Sequence, residues 1–182
     1  MLTATKIRIY PKPDQVNLLA QAFGSARFLY NNQLEATQKQ YKETGKGLSQ
    51  FDMNKRIPGL KQEYEWLSNA HSQVLQAESL NLSRAFINFF EKRAGFPKFK
   101  SKHDTQTIQY PQGVKIVEDK QVYLPKIGLV KAVVHREIVG KVKTVTISKT
   151  TTGKYFASVL TENDKPFPAP VVQGGILGID LG

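Results

Sequence analysis

The chain has 182 residues, 40% of them hydrophobic, which is enough for a buried core and excludes a disordered tail. Its 26 Lys and Arg against 15 Asp and Glu give a net charge of +11, which points to a polyanionic partner. With no cysteine, disulfide scaffolds, zinc ribbons and thiol nucleophiles are excluded within these residues.

Met1 to Tyr10 alternates with the period of a strand, Ile7 and Ile9 against Lys6 and Arg8, and Pro11 and Pro13 end it. From Val16 to Tyr41, Val16, Leu19, Phe23, Tyr30 and Leu34 recur at helical spacing and predict a long amphipathic helix. Gly45-Lys46-Gly47 breaks it. Ser49 is a fitting cap for a short helix toward Ile57, which Pro58-Gly59 is expected to turn. Ser68 or Asn69 then caps a helix from about Ala70 to Lys92 with Leu75, Leu82, Phe86 and Phe89 on one face. At Gly95 the helical period stops and β-branched residues take over. Strands are expected at Thr107 to Tyr110, Val114 to Val117, Gln121 to Leu124, Leu129 to Val134, Val142 to Ser148 and Tyr155 to Thr161.

Short strands without intervening helices indicate a small barrel or sandwich, joined by the first strand. The fold class is therefore α+β, an antiparallel barrel with an inserted helical lobe. The divisions are 1–12 for the first strand, 13–100 for the lobe and 101–164 for the rest of the barrel. A Pro-rich linker over 165–174 leads to the apolar strand 175–182, which ends at Asp180. No run reaches the roughly 18 apolar residues of a membrane span, and Met1 to Tyr10 has no signal-peptide core. A cytoplasmic protein with no membrane partner is expected. His71, His103 and His135 have no partner at metal-ligand spacing and are given no role.

The most basic stretch sets Arg84, Lys92, Arg93, Lys98, Lys100 and Lys102 against Glu91 alone. On an extended segment Lys98, Lys100 and Lys102 share a side and suit a phosphate backbone, while Phe96 and Phe99 either anchor the loop or stack on bases. Lys141 and Lys143 share a strand face in the β half. The helical block adds Tyr41, Gln50, Asn54, Lys55 and Arg56, side chains able to reach base edges or phosphates. Asp180, between glycines at the end of an apolar strand, has the setting of a metal-binding carboxylate. Gly178-Ile179-Asp180-Leu181-Gly182 equally matches the phosphate-binding hairpin of actin-type ATPases, and a helix-turn-helix DNA-binding regulator is a further alternative.

The ordered set Lys6-Ile7-Arg8-Ile9-Tyr10-Pro11 with Asp14-Gln15, Ala26-Arg27-Phe28-Leu29-Tyr30-Asn31, Gly95-Phe96-Pro97-Lys98-Phe99-Lys100 and Gly178-Ile179-Asp180-Leu181-Gly182 resembles the N-terminal portion of TnpB. TnpB is the OrfB-type transposase-associated protein of bacterial insertion sequences, an RNA-guided DNA endonuclease related to type V CRISPR effectors. The resemblance implies a wedge-type barrel, a recognition lobe, and Asp180 as the first carboxylate of a RuvC-like, RNase H-like nuclease domain. It implies a guide RNA from the transposon end and target DNA as partners, in a bacterial, nucleoid-associated setting. Mg²⁺ is expected for the full-length nuclease and no cofactor for this stretch. Two-metal cleavage needs several carboxylates, so the chain is expected to be a truncated, non-catalytic binding module.

Overall fold

The computed structural model describes residues 1–118 and 120–163; Asp180, the linker and the strand expected after it lie outside the described residues. The order is β1 (Leu2–Tyr10), α1 (Pro13–Thr44), α2 (Gln50–Glu63), a 3₁₀ turn (Glu65–Asn69), α3 (Ser72–Phe90), β2 (Gln106–Tyr110), β3 (Lys115–Val117), β4 (Gln121–Leu124), β5 (Gly128–Val133), β6 (Lys141–Lys149) and β7 (Tyr155–Glu162). All seven strands form one antiparallel sheet in the order β2-β6-β7-β1-β5-β4-β3. The expected antiparallel β half with its helical lobe is thus present, as one open seven-stranded sheet. Among the described residues β2 and β3 are edges that do not pair, and α1 rather than a further strand pairing covers the inner face.

The crossing of α1 follows from its length. Gln15 Nε2 donates to the Leu129 carbonyl on β5 at 2.8 Å, and Arg27 donates to Gln106 Oε1 on β2 at 2.6 Å. Twelve residues of helix rise about 18 Å, and four strand spacings from β5 to β2 span about 19 Å. Leu19, Ala22, Phe23 and Ala26 enter the sheet core with Ile7, Ile9, Ile108, Val145, Ile147, Ala157 and Val159 along this path. The rest of α1 overhangs the β2 edge by roughly 25 Å and packs with α2 and α3 around Leu29, Leu34, Met53, Ile57, Leu67, Leu75 and Leu82.

Local chemistry sets the ends. Pro13 opens α1, the Lys12 amide donates to Gln15 Oε1 at 3.0 Å, and Gly45 closes the helix at φ 70°, a left-handed conformation that costs glycine nothing. Ser49 caps α2 reciprocally with Asp52. The expected turn at Pro58-Gly59 does not form. Met53, Ile57 and Leu60 make one buried stripe, while Pro58 and Gly59 lie on the exposed side, so the missing amide is lost next to water. The third helix also starts later than expected. Burial of Leu67 and Ala70 draws residues 65–69 into a 3₁₀ turn, and His71 rather than Ser68 or Asn69 is the N-cap. Met1 is pinned beside the end of β7: its ammonium donates to the Asn163 carbonyl at 2.5 Å, and the Asn163 amide donates to the Met1 carbonyl at 2.9 Å. No helix among the described residues is long and apolar enough to cross a membrane.

A polar clip fastens the segment leading to β2 onto α1 and α3. Asn31 on α1 bonds both backbone groups of Lys100, at 2.8 and 3.0 Å. The Lys100 ammonium reaches the buried Glu78 carboxylate of α3 at 2.5 Å and lies 4.3 Å from the Tyr30 ring centroid. Burial holds the Glu78 carboxyl above its ordinary 4.5, and Lys100 opposes that shift. Because the folded state binds this proton more tightly than the unfolded one, the group's contribution is complete below pH 4.5 and falls as pH rises through the folded value. Lys100→Met is expected to cost about 3 kcal/mol in urea unfolding at pH 7, to cost less at pH 4.5, and to be partly restored by adding Glu78→Gln. Gly140, at φ 104°, would place a Cβ 2.3 Å from the Glu162 carbonyl oxygen, so Gly140→Ala is expected to lower stability by more than about 1 kcal/mol in the same assay.

Candidate nucleic-acid interface

Strand register builds a cationic, aromatic surface on the outer face of the sheet. With Ile7, Ile9, Ala157 and Val159 turned into the core, Lys6, Arg8 and Tyr10 of β1 take the opposite side, beside Phe156 and Ser158 of β7. Arg8 is paired with Phe156 on one flank and Val133 on the other, and Tyr10 faces Lys131. The Arg8 guanidinium carbon is 5.0 Å from the Phe156 centroid and 5.4 Å from the Tyr10 centroid, while the Lys6 ammonium is 4.6 Å from Phe156. Thr146 and Ser148 of β6, Gln109 of β2 and Gln121 of β4 extend the face with hydrogen-bonding groups. Tyr10, Tyr123, Leu129 and Val133 remain exposed there. Rings, cations and short polar groups without an acid in the centre of the face suit a polyanion carrying flat bases.

None of Lys6, Arg8, Tyr10 and Phe156 stood out as a site residue in the sequence. The signal was available in the alternation of residues 1–10, which already assigned Lys6, Arg8 and Tyr10 to the side opposite Ile7 and Ile9. Phe156 needed the register of β1 against β7.

The residues that composition did single out are distributed over several places. Arg84 is exposed on α3, and Lys92, Lys98 and Lys102 are exposed beyond its end, with Lys92 at φ 59°. Arg93 pairs with Glu91. Lys100 does not share the open side of its neighbours, because its ammonium is engaged with Glu78. Phe96 closes an aromatic cluster with Phe86 and Phe89, centroids 5.7 and 5.2 Å away, yet stays half exposed, as does Phe99. Tyr41, Lys42 and Lys46 line a cleft of about 930 Å³ with Phe86, Phe90 and Phe96. On α2, Lys55 lies 4.4 Å over the exposed Phe51 ring. Gln50 starts the helix, and Arg56 turns to α1, donating to Asn32 Oδ1 at 3.0 Å. The Asn54 side-chain oxygen is buried without a hydrogen bond. Lys141 and Lys143 are exposed at the start of β6, and Lys143 bonds Glu162 at 2.8 Å, holding that carboxyl below its ordinary value. The described residues contain no group of three or more His, Cys, Asp or Glu that could hold a metal ion.

Residues 1–46 match the helix-turn-helix domain family HTH_OrfB_IS605. Here those residues are β1 and the single helix α1, and the next helix begins only at Gln50. The whole chain is 33% identical over 184 aligned residues to "Putative RNA-guided DNA endonuclease InsQ" of Escherichia coli (strain K12), covering 45% of that protein. A protein of Streptomyces pristinaespiralis named "Putative RNA-guided DNA endonuclease" is 29% identical over 98% of the chain and 46% of its own length. "Virulence protein VsdF" of Salmonella dublin is 36% identical over 57% of the chain and 96% of its own length. The chain spans about half the length of the two endonuclease-named relatives. With an OrfB-type domain at its start and a match to InsQ that runs from end to end, the chain belongs to the OrfB/TnpB family of transposon-associated proteins.

Proposed function

We propose that this chain is the nucleic-acid-holding part of a TnpB-type RNA-guided DNA endonuclease. In this reading the open barrel and the helical lobe grip a guide RNA from the transposon end and read a short motif in the target DNA, while base pairing supplies the rest of the specificity, as in other RNA-guided systems. The observation that supports it most is the sheet face on which Lys6 and Arg8 stand against Phe156 and Tyr10. Cations there neutralise phosphates without reading sequence, and the rings accept any base.

Cleavage in this reading belongs to a RuvC-like centre in which Asp180 is the first carboxylate and Mg²⁺ the ion. The residues that hold nucleic acid contribute positioning and no chemical step. The open face of β1, β7 and β5 favours this reading over a helix-turn-helix regulator, which needs only the helices. A start of an actin-type ATPase does not fit a chain that matches InsQ throughout.

Arg8→Gln and Phe156→Leu are each expected to weaken binding of single-stranded RNA by about five- to 150-fold, in line with roughly 1–3 kcal/mol per stacked base. Lys6→Gln should instead lower the slope of log affinity against log salt by about one. Fluorescence anisotropy over a salt series checks both. Unchanged affinity in all three variants would remove the sheet face from the interface.

A further inference from the structure

The helical layer and the sheet meet at a second polar feature, away from the outer face. A cavity of about 220 Å³, open to solvent on one side, lies between α1, the residues leading into α3, β2 and the β4–β5 turn. Its polar lining is Gln21, Asn69, His71, Tyr110 and Lys126, and no carboxylate borders it. The His71 and Tyr110 rings stand 5.9 Å apart. The His71 imidazole borders the cavity, while its Nδ1 is turned into the protein and buried without a hydrogen-bond partner. Lys126 is held at φ 69°, a conformation that non-glycine residues adopt at a cost and mostly where function repays it.

The charges around the imidazole have one sign. Lys126 comes from the β4–β5 turn and Lys61 from α2, its ammonium 3.0 Å from Ser72 Oγ beside His71. β2 contributes the Tyr110 hydroxyl, and α1 the neutral Gln21. Burial first, then Lys126 and Lys61, push the His71 imidazole below its ordinary 6.5. Burial pushes the Tyr110 phenol far above 10, so its hydroxyl keeps a proton to donate. Donors, uncompensated positive charge and a roomy cavity together lack one component, an anion with several acceptor oxygens.

We propose that this cavity is a seat for a phosphate group, held by Lys126, the Tyr110 hydroxyl and the cavity side of the His71 ring, with the Gln21 and Asn69 amides at its rim. The idea extends the nucleic-acid reading, since a phosphate of a bound strand is one source, but inorganic phosphate has the same chemistry and gives a test that does not depend on that reading. A phosphate arriving here offsets the two lysines and favours imidazolium, whose positive charge then attracts it. Binding of the dianion therefore raises the His71 midpoint, with up to one proton taken up at the imidazole at a pH just above the free midpoint.

The test follows the His71 imidazole signal by NMR in the full chain across pH, with no addition, with inorganic phosphate, and with short single-stranded oligonucleotides bearing either a 5′-phosphate or a 5′-hydroxyl. The seat predicts an upward move of the His71 midpoint with inorganic phosphate or with the 5′-phosphorylated strand, and loss of that move in Lys126→Met, whose exposed side chain leaves the fold in place. A response to inorganic phosphate together with unchanged RNA binding in the Arg8 and Phe156 variants would support the seat while sinking the nucleic-acid reading of the sheet. A His71 midpoint that no addition moves, or that moves equally in Lys126→Met, overturns the seat.

Discussion

The first half of α1 lies across the inner face of the sheet, and the burial of Leu19, Ala22, Phe23 and Ala26 against β1, β6 and β7 decides where the other parts can sit. A helix of 32 residues is longer than the sheet it crosses is wide, so its second half must overhang. The overhang needs its own cover, and α2 and α3 supply it through two smaller apolar clusters. Fully burying a leucine or phenylalanine contributes about 1.5–3 kcal/mol. The shared core is therefore a strong tie, and the Asn31, Lys100 and Glu78 clip adds direction to it.

Because the same helix serves both layers, no helix among the described residues covers the outer face of the sheet. The inner positions of β1 and β7 are used up by packing, and the alternating positions carry the cations and rings. Charge on this protein therefore works at two levels. Lys100 is drawn inward to neutralise a buried acid, whereas Lys6, Arg8 and Lys131 remain outward beside aromatic surface.

Much of this was legible in the residues. Alternation and β-branching located all seven strands to within a residue or two, and the spacing of Leu19, Phe23, Tyr30 and Leu34 revealed α1. Pro58 misled because a proline is a local signal, while the stripe Met53, Ile57 and Leu60 that carries α2 through it draws its strength from α1 and α3. Ser68 and Asn69 misled in the same way, since the burial of Leu67 is a tertiary event. The basic run Arg84 to Lys102 was conspicuous by count, yet count does not reveal which ammonium has a carboxylate waiting, and Glu78 lies far enough back in the chain to go unnoticed. Pairs such as Arg8 with Phe156, separated by almost the whole chain, exist only through register. His71 looked inert for want of a second histidine, and its lysine neighbours from two other elements appear only on folding.

The central position of β1 has a consequence for how the protein comes into being. The first of these seven strands to leave the ribosome lies between β5 and β7, and its longest ladder joins Leu2 to Glu162 and Ile9 to Tyr155. Such distant pairing is slow to form because a long loop must close before any contact rewards it. Until Tyr155 to Glu162 has been made, β1 carries an open edge with apolar side chains, a template for association with other chains. A nascent chain of this design carries its keystone strand with one edge unpaired until β7 has been made, which makes shielding of β1 during translation a requirement of the topology itself.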